Sequence, residues 1–345
     1  MGHAARCVPI IYQLFEYNLN VIIAASGRSL AFLQKEFPQL TFIPFEDYKI
    51  RYQKKGSLTF KMLLSIPLII KGIYKEHRRL QQIIDDFKID AVISDNRYGL
   101  FTRKIPCVFM THQLFIKIPA YLRFTSPLAR CVTRFFINRY DECWIPDFEG
   151  AENLSGELSH GRTTGKNTFY IGSLSRFGSG ENGLDAEYSY DLLVMLSGPE
   201  PQRRILEEKV FDQLKTSDLK TIVVQGITDK EIVFDLNPKV KVYSHLETRL
   251  LQKFMTESKI ILCRSGYSTI MDLAALGKKA IFIPTPGQTE QEYLAKYHLE
   301  NQHFYSIAQK NLSIPKAIAQ AAGFQGIELK PDFDLLKHRL AILTT

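Results

Sequence analysis

Short apolar runs alternate along the whole chain with longer segments in which apolar positions recur every three or four residues. The short runs have strand length and the longer ones read as amphipathic helices. In the first half, residues 8–17, 30–37 and 58–87 read as helices. Residues 20–25, 40–44, 91–95, 106–110 and 142–146 read as strands. In the second half, strands are expected at 168–171, 192–196, 221–225, 240–243, 260–263 and 280–283. Helices fall between them at 202–214, 269–276 and 290–297, and 333–343 reads as a last amphipathic helix.

Strands that alternate with helices imply crossover units and a parallel sheet covered on both faces. Ligands of such sheets bind beyond the C-terminal ends of the strands. Gly156, Ser159, Gly161, Gly165 and Asn167 interrupt the pattern and place a linker at about 146–166. The expected fold class is therefore α/β, with two doubly wound, Rossmann-like domains over 1–150 and 166–325 and a terminal helix over 326–345. A length of 345 residues agrees with two cores.

The first domain opens unusually. A doubly wound domain normally begins with a strand, then a Gly-rich turn, then a helix. Gly2-His3 already has the character of the end of such a turn, and the helix follows at once. An N-terminal sheet without one central strand is expected, with unpaired backbone groups lining the gap.

Charge divides the chain. Residues 1–140 carry 21 Lys+Arg against 9 Asp+Glu, whereas the remainder carries 23 against 27. A basic first half fits anionic lipid, a phosphorylated acceptor or nucleic acid, or is a solubilising surface. Lys54, Lys55, Lys61, Lys71, Lys75, Arg78 and Arg79 interleave with Leu63, Leu64, Ile66, Leu68, Ile69 and Ile70. Lys117, Tyr121, Leu122, Arg123, Phe124, Arg130, Arg134, Phe135 and Phe136 form a second basic and aromatic group. That composition suits peripheral docking on an anionic membrane, or a helix with a solvated basic side. No nucleic-acid-binding motif accompanies it, so no nucleic-acid partner is expected.

The five cysteines form no C-x-x-C pair and no Cys/His cluster, as expected of reduced core thiols in a cytoplasmic protein. No signal peptide is visible at the start. The most apolar window, 62–73, is too short to span a bilayer. The expected location is the cytoplasm, with peripheral contact on the inner face of the membrane.

The stretch Cys263-Arg264-Ser265-Gly266-Tyr267-Ser268-Thr269-Ile270-Met271-Asp272 runs from a buried strand through a Gly-containing turn into a helix. Ser268 and Thr269 can cap that helix, and its N-terminus suits a phosphate. Asp272 lies where it could accept a hydrogen bond from a ribose hydroxyl. The bland alternative is a capped core helix. The stretch Ile283-Pro284-Thr285-Pro286-Gly287-Gln288-Thr289-Glu290-Gln291-Glu292 then brings acids and amides to a second helix start. Such groups satisfy sugar hydroxyls, or simply cap the helix.

Together these stretches resemble the C-terminal domain of the GT-B glycosyltransferases of family 28, the MurG-like type. The resemblance covers most of 168–300. A shorter likeness joins Gly2-His3-Ala4-Ala5-Arg6-Cys7 to that family's G-x-G-H loop. It implies that Asp272 holds the ribose and that Ser265, Gly266, Ser268 and Thr269 approach the diphosphate. Glu290, Gln291 and Glu292 would contact the donor sugar, and Arg176 would face phosphate. Ser197, Gly198 and Gln225 would lie below the donor, and Leu246 would read the base, usually uracil. Family members pair two glutamines where this chain has Gln291-Glu292, and a double Gly is missing near Gly198.

The implied activity is metal-independent transfer of a sugar from a nucleotide donor, UDP-linked, to an acceptor hydroxyl on a lipid-linked or envelope glycan. The nucleotide-sugar is a co-substrate, and neither a cofactor nor a metal is expected. His3 is one base candidate and Asp95 the other. Asn96, Arg97 and His112 follow strand ends and are candidates for acceptor binding. Arg176, Arg264 and the helix after Gly266 would stabilise the departing diphosphate. Two other readings stay open: a UDP-sugar hydrolase of the same superfamily, and a truncated nucleotide-binding remnant without catalysis.

Overall fold

The computed structural model describes residues 2–45, 58–118, 124–161, 165–177, 188–228 and 231–343, with the side chains of 58–69 and 341 outside that description. The first half runs α1 (Gly2–Glu16), β1 (Ile22–Ala25), α2 (Gly27–Glu36), β2 (Thr41–Pro44), α3 (Leu58–Phe87), β3 (Val92–Asp95), β4 (Cys107–Met110), α4 (Ser126–Ile137), β5 (Glu142–Ile145) and β6 (Thr168–Tyr170). The second half runs β7 (Tyr190–Met195), α5 (Gln202–Leu214), β8 (Thr221–Val224), β9 (Val233–Asn237), β10 (Val240–Tyr243), α6 (Thr248–Glu257), β11 (Ser258–Cys263), α7 (Tyr267–Ala275), β12 (Ala280–Phe282), α8 (Thr289–Glu300), β13 (Tyr305–Ser306), α9 (Ile314–Ala321) and α10 (Phe333–Leu340).

The second half forms one sheet in the order β13-β12-β11-β7-β8-β10-β9, parallel except for β9 at the edge. Its inner strands are nearly continuous apolar runs because helices cover both faces. Leu192, Val194, Leu262 and Ile281 pack with Leu206, Val210 and Ala317 on one face, while Leu193, Ile261 and Phe282 pack with Met255, Met271 and Leu294 on the other. Cys263 aligns with Met195 and Phe282, and Met195 with Val224, so four loops leave this sheet at one edge.

The first half departs from a single sheet. β1 and β2 pair in parallel, and β3-β4-β5-β6 form a separate parallel sheet. Among the described residues no strand pairing crosses this division. Apolar side chains span it: Leu80, Ile83 and Ile84 of α3 pack with Ile22 and Ile43 of the small sheet and with Val92 of the larger. Asp95 aligns with Met110 across β3 and β4, which brings Asp95 and His112 to neighbouring strand ends.

The strand expected to open the second domain is instead β6. It pairs with β5, Trp144 opposite Phe169, and adds an edge to the N-terminal sheet. The reason lies in the preceding loop, which is a packed connection rather than a loose linker. Buried Asp147 accepts from the backbone N–H groups of Phe148, Leu154 and Ser155 and from the Ser155 hydroxyl, and this folds the chain back beside β5. Passage between the domains therefore comes after β6. α10 returns to the first domain, where Arg339 pairs with Glu142 at 3.1 Å and Lys337 with Glu16 at 3.4 Å. One apolar cluster joins Ile10, Val108, Met110 and Trp144 to Met271, Phe282, Leu336 and Leu340 across both halves.

Among the described residues no helix is long and apolar enough to cross a membrane. Cys107, Cys143 and Cys263 are buried as expected, but Cys131 is exposed on α4, so it is not a core thiol.

Candidate active site

The first wall of the site is built on α1, β3 and β4. Ala4, Val8 and Ile11 pack α1 against β1 and α2, and Ile10 packs its opposite side into the shared cluster. Held on both sides, α1 points Gly2, His3 and Arg6 at the ends of β3 and β4. His3 Nδ1 lies 3.1 Å from Asp95 Oδ2, and the His3 side chain is 54% exposed. Arg6 Nε donates to Asp95 Oδ2 at 3.0 Å, and its Nη2 makes a very short contact with Asp95 Oδ1. Burial alone would raise the Asp95 pKa, but the Arg6 guanidinium and His3 outweigh it and hold the carboxyl well below the usual carboxylate range. A carboxylate that weakly basic is suited to orienting a histidine rather than to taking a proton itself.

His112 connects this wall to the other. Its Nδ1 is 2.7 Å from Arg6 Nη1, and its Nε2 is 2.8 Å from Glu290 Oε1. The ring lies parallel to Tyr267 with centroids 4.3 Å apart. Burial lowers the His112 pKa and the Arg6 charge adds to that, while Glu290 opposes both. Burial also pushes Glu290 up, but the bond from His112 prevails and its carboxyl stays low.

The second wall is the edge where the C-terminal strands end. Gly266 caps α7, and a Cβ placed on it would meet nothing within 4 Å, so space lies in front of the helix. Ser268 Oγ donates to the carbonyl of Gly2 at 2.9 Å, which sets the N-termini of α7 and α1 against each other. Thr269 follows on the same turn. Ser197 is exposed after β7, and Gly198 has φ +108° with room for a Cβ only at 3.4 Å from Thr285 Oγ1. Leu246 is half-buried in the loop before α6.

Several of the expected donor residues also make contacts within the scaffold. Arg264 is 1% exposed and donates to the carbonyls of Ile283 at 2.9 Å, Pro284 at 3.3 Å, Gln202 at 2.9 Å and Ser197 at 3.4 Å. It clamps three loops, and burial lowers its pKa to about 10. Ser265 donates to the Gln291 carbonyl, and the Gln291 side chain accepts from the Thr285 N–H. Glu292 accepts from the Gly287 N–H. Gln225 bonds Glu207. Arg176 pairs with Asp272 at 3.3 Å, and Ser175 donates to the same carboxyl at 2.9 Å. Burial raises the Asp272 pKa despite Arg176.

On the acceptor side, Asn96 adopts φ +56° and accepts from Thr111 Oγ1 at 3.3 Å. Arg97 Nε donates to buried Glu76 at 2.7 Å, and its guanidinium lies over Phe45, so its charge is used within the first domain. Lys54, Lys55, Tyr121, Leu122 and Arg123 lie outside the described residues, as do the side chains of Lys61, Leu63, Leu64, Ile66, Leu68 and Ile69.

A family model described as glycosyltransferase family 28 C-terminal domain matches residues 201–322, and one described as glycosyl transferase family 1 matches residues 1–118. A curated relative from Listeria welshimeri is 24% identical over 306 residues, covering 87% of this chain and 79% of its own. Another from Caldanaerobacter subterraneus is 26% identical over 340 residues, covering 91% and 85%. Both are UDP-N-acetylglucosamine–N-acetylmuramyl-(pentapeptide) pyrophosphoryl-undecaprenol N-acetylglucosamine transferases. Among solved structures, MurG of Acinetobacter baumannii has TM-score 0.52 at 14% identity, covering 99% of this chain and 91% of its own. The calicheamicin glycosyltransferase CalG4 has TM-score 0.62 at 10% identity, covering 98% and 89%.

The chain is a glycosyltransferase of the GT-B fold. The hydrolase reading finds no support in these similarities. In this glycosyltransferase the structure adds two residues to those the sequence points to. Arg6 lies at the centre of the cleft cluster, and Tyr267 carries His112. A signal for Arg6 exists in the sequence: it stands three residues after His3, on the same face of a helix.

Proposed function

We propose that this enzyme transfers a sugar from a UDP-linked donor to a hydroxyl of a lipid-linked acceptor, with His3 as the base. The observation that carries this reading is the meeting of the α1 and α7 N-termini, with the His3–Asp95 pair beside them. Two helix N-termini aim partial positive charge at one place, which favours an anion such as a diphosphate in the open space before Gly266, beside their contact. The base and the leaving-group site then share one cleft.

In the proposed step the acceptor oxygen bonds the sugar's anomeric carbon as the bond from that carbon to the diphosphate breaks. The acceptor proton passes to His3 Nε2, and Asp95 stabilises the imidazolium that forms. The α7 N–H groups take the charge that develops on the diphosphate, without a metal or cofactor. Supporting the donor class, the curated relatives named above use UDP-N-acetylglucosamine, and the SsfS6 glycosyltransferase structure (TM-score 0.56, 14% identity) is a complex with thymidine diphosphate. Supporting the acceptor class, the same relatives act on a pyrophosphoryl-undecaprenol substrate.

Such an acceptor calls for peripheral work at a membrane on its cytoplasmic face, and α4 offers a surface for it. Phe124, Leu128, Val132 and Phe135 are 80%, 67%, 47% and 54% exposed at spacings that form one stripe. Exposed Arg130, Arg134 and Arg139 flank that stripe, and no acid occurs between Phe101 and Tyr140.

The test is titration with UDP, GDP, ADP and TDP by thermal shift and calorimetry, on the wild type and on Asp272→Ala. Selective binding of UDP that is lost in Asp272→Ala is expected, since a ligand of the folded state raises the midpoint by mass action. Failure of every nucleotide to bind a folded protein defeats the proposal.

A further inference from the structure

The Arg6 guanidinium is 1% exposed and is shared among three side chains. It offers five N–H donors and no acceptor. Besides its two bonds to Asp95, Nη1 is 2.7 Å from His112 Nδ1 and Nη2 is 2.9 Å from His3 Nδ1. A ring nitrogen that bonds a guanidinium must present a lone pair. His112 Nδ1 is therefore unprotonated, and its ring proton sits on Nε2, where it is donated to Glu290 Oε1 at 2.8 Å.

His3 faces a choice that His112 does not. Its Nδ1 can accept from Arg6 at 2.9 Å or donate a proton to Asp95 Oδ2 at 3.1 Å, but not both. When Nδ1 accepts, the proton occupies Nε2 and the exposed edge of the ring has no lone pair for an incoming proton. When Nδ1 donates to Asp95, that lone pair is free.

We propose that Arg6 is a positioning residue that locks His112 as the Nε2–H tautomer and sets which tautomer His3 adopts beside Asp95. The kinetic consequence rests on the transfer reading above; the tautomer lock does not. A lysine at this position supplies a single charged point in place of a planar fork, so it serves Asp95 or His112 but not both.

The experiment is nitrogen-15 spectroscopy of histidine-labelled full-length protein, free of substrate, for the wild type and Arg6→Lys, followed by kinetics of both and of His3→Gln and the His3→Gln/Arg6→Lys double variant. In the wild type, His112 should show a protonated Nε2 and an unprotonated Nδ1; in Arg6→Lys, Nδ1 should gain a proton in part of the population, while Glu290 keeps one on Nε2. Arg6→Lys should lower kcat by about tenfold to a hundredfold, the scale of a misplaced general base, with the donor KM nearly unchanged. In the His3→Gln background the same change should cost little more, because Arg6 acts through His3. A proton on His112 Nδ1 in the free wild-type protein overturns the inference whatever the activity. Losses that multiply in the double variant overturn it as well. The expected tautomers in a protein that turns over no donor support the lock while failing the transfer reading.

Discussion

The His112 imidazole lies flat on the Tyr267 ring, with centroids 4.3 Å apart and planes 2° apart, so a stacked pair with one ring from each domain joins the two walls of the site. His112 belongs to the loop after β4, and Tyr267 opens α7. Tyr267 is 3% exposed, and its hydroxyl donates to the Pro146 carbonyl at 2.7 Å. The stack thus holds the His3–Asp95 wall in register with the helix end that faces the proposed diphosphate.

The two parts of Tyr267 are separable by mutation. Tyr267→Phe keeps the stack and removes one hydrogen bond, leaving the Pro146 carbonyl short of a partner at a cost of about 1–3 kcal/mol. Tyr267→Ala removes the ring as well, and burial on this scale makes a loss of about 3–5 kcal/mol the expectation. Urea denaturation measures both. Activity should follow the stack, with Tyr267→Phe close to wild type in kcat and Tyr267→Ala strongly impaired. Equal impairment of the two variants would mean that the hydroxyl, not the stack, sustains the site.

Gly266 gives the donor site a steric test. Its φ of −79° suits any residue, and a Cβ there meets nothing within 4 Å. Gly266→Val should therefore fold, with a loss of about 1 kcal/mol for a poorer helix cap. The added methyls would stand in the space before the first α7 N–H groups, where the diphosphate is proposed to lie. UDP affinity should fall by about tenfold or more, or 1.4 kcal/mol, measured by calorimetry. Unchanged UDP affinity in this variant would move the diphosphate away from α7.

Much of this was legible from periodicity. Parallel strands covered on both faces are continuous apolar runs, so 260–263 and 280–283 stand out in the sequence and match β11 and β12 closely. β9 does not stand out, because its residues are exposed or half-buried on an edge and the pairing with β10 carries a register shift. β6 continues the second run of strands in the sequence but joins the first sheet, because strand partners depend on the fold of the loop around Asp147, a contact that no local pattern encodes. In the site, residue types that favour phosphate or sugar also serve the scaffold. Arg264 is the clearest case: the resemblance implies a diphosphate contact, and the structure shows the same side chain satisfying backbone carbonyls that would otherwise be buried without donors. His3 and Asp95 lie 92 residues apart in sequence, and only the register of β3 with β4 and the packing of α1 bring them together.

His298 carries a prediction about acid stability. It is fully buried on α8, accepts no solvent, and sits among Phe282, Phe304 and Tyr297. Its Nε2 donates to the Leu154 carbonyl at 3.0 Å, which ties α8 to the loop that Asp147 organises, and its Nδ1 lies 3.1 Å from His303 Nδ1. Burial, helped by His303 and opposed by the Leu154 bond, holds its pKa down at about 3. A depressed folded-state pKa means that the unfolded chain binds the proton first. The stabilising contribution is complete above the unfolded value of about 6.5 and is lost as pH falls from there toward 3. Within that window one such group gives a slope of about 1.4 kcal/mol per pH unit. His112 and His303, also held low by burial, add to the loss over this range, whereas Asp95 and Glu290, with carboxyls held low, act at more acidic pH. Urea denaturation at a series of pH values should therefore show the wild type losing stability between about pH 6.5 and 4.5, and His298→Phe losing distinctly less over the same interval. Parallel curves for the two proteins would show that His298 takes up its proton equally in the folded and unfolded states, and that its burial is not what sets the acid limit of this fold.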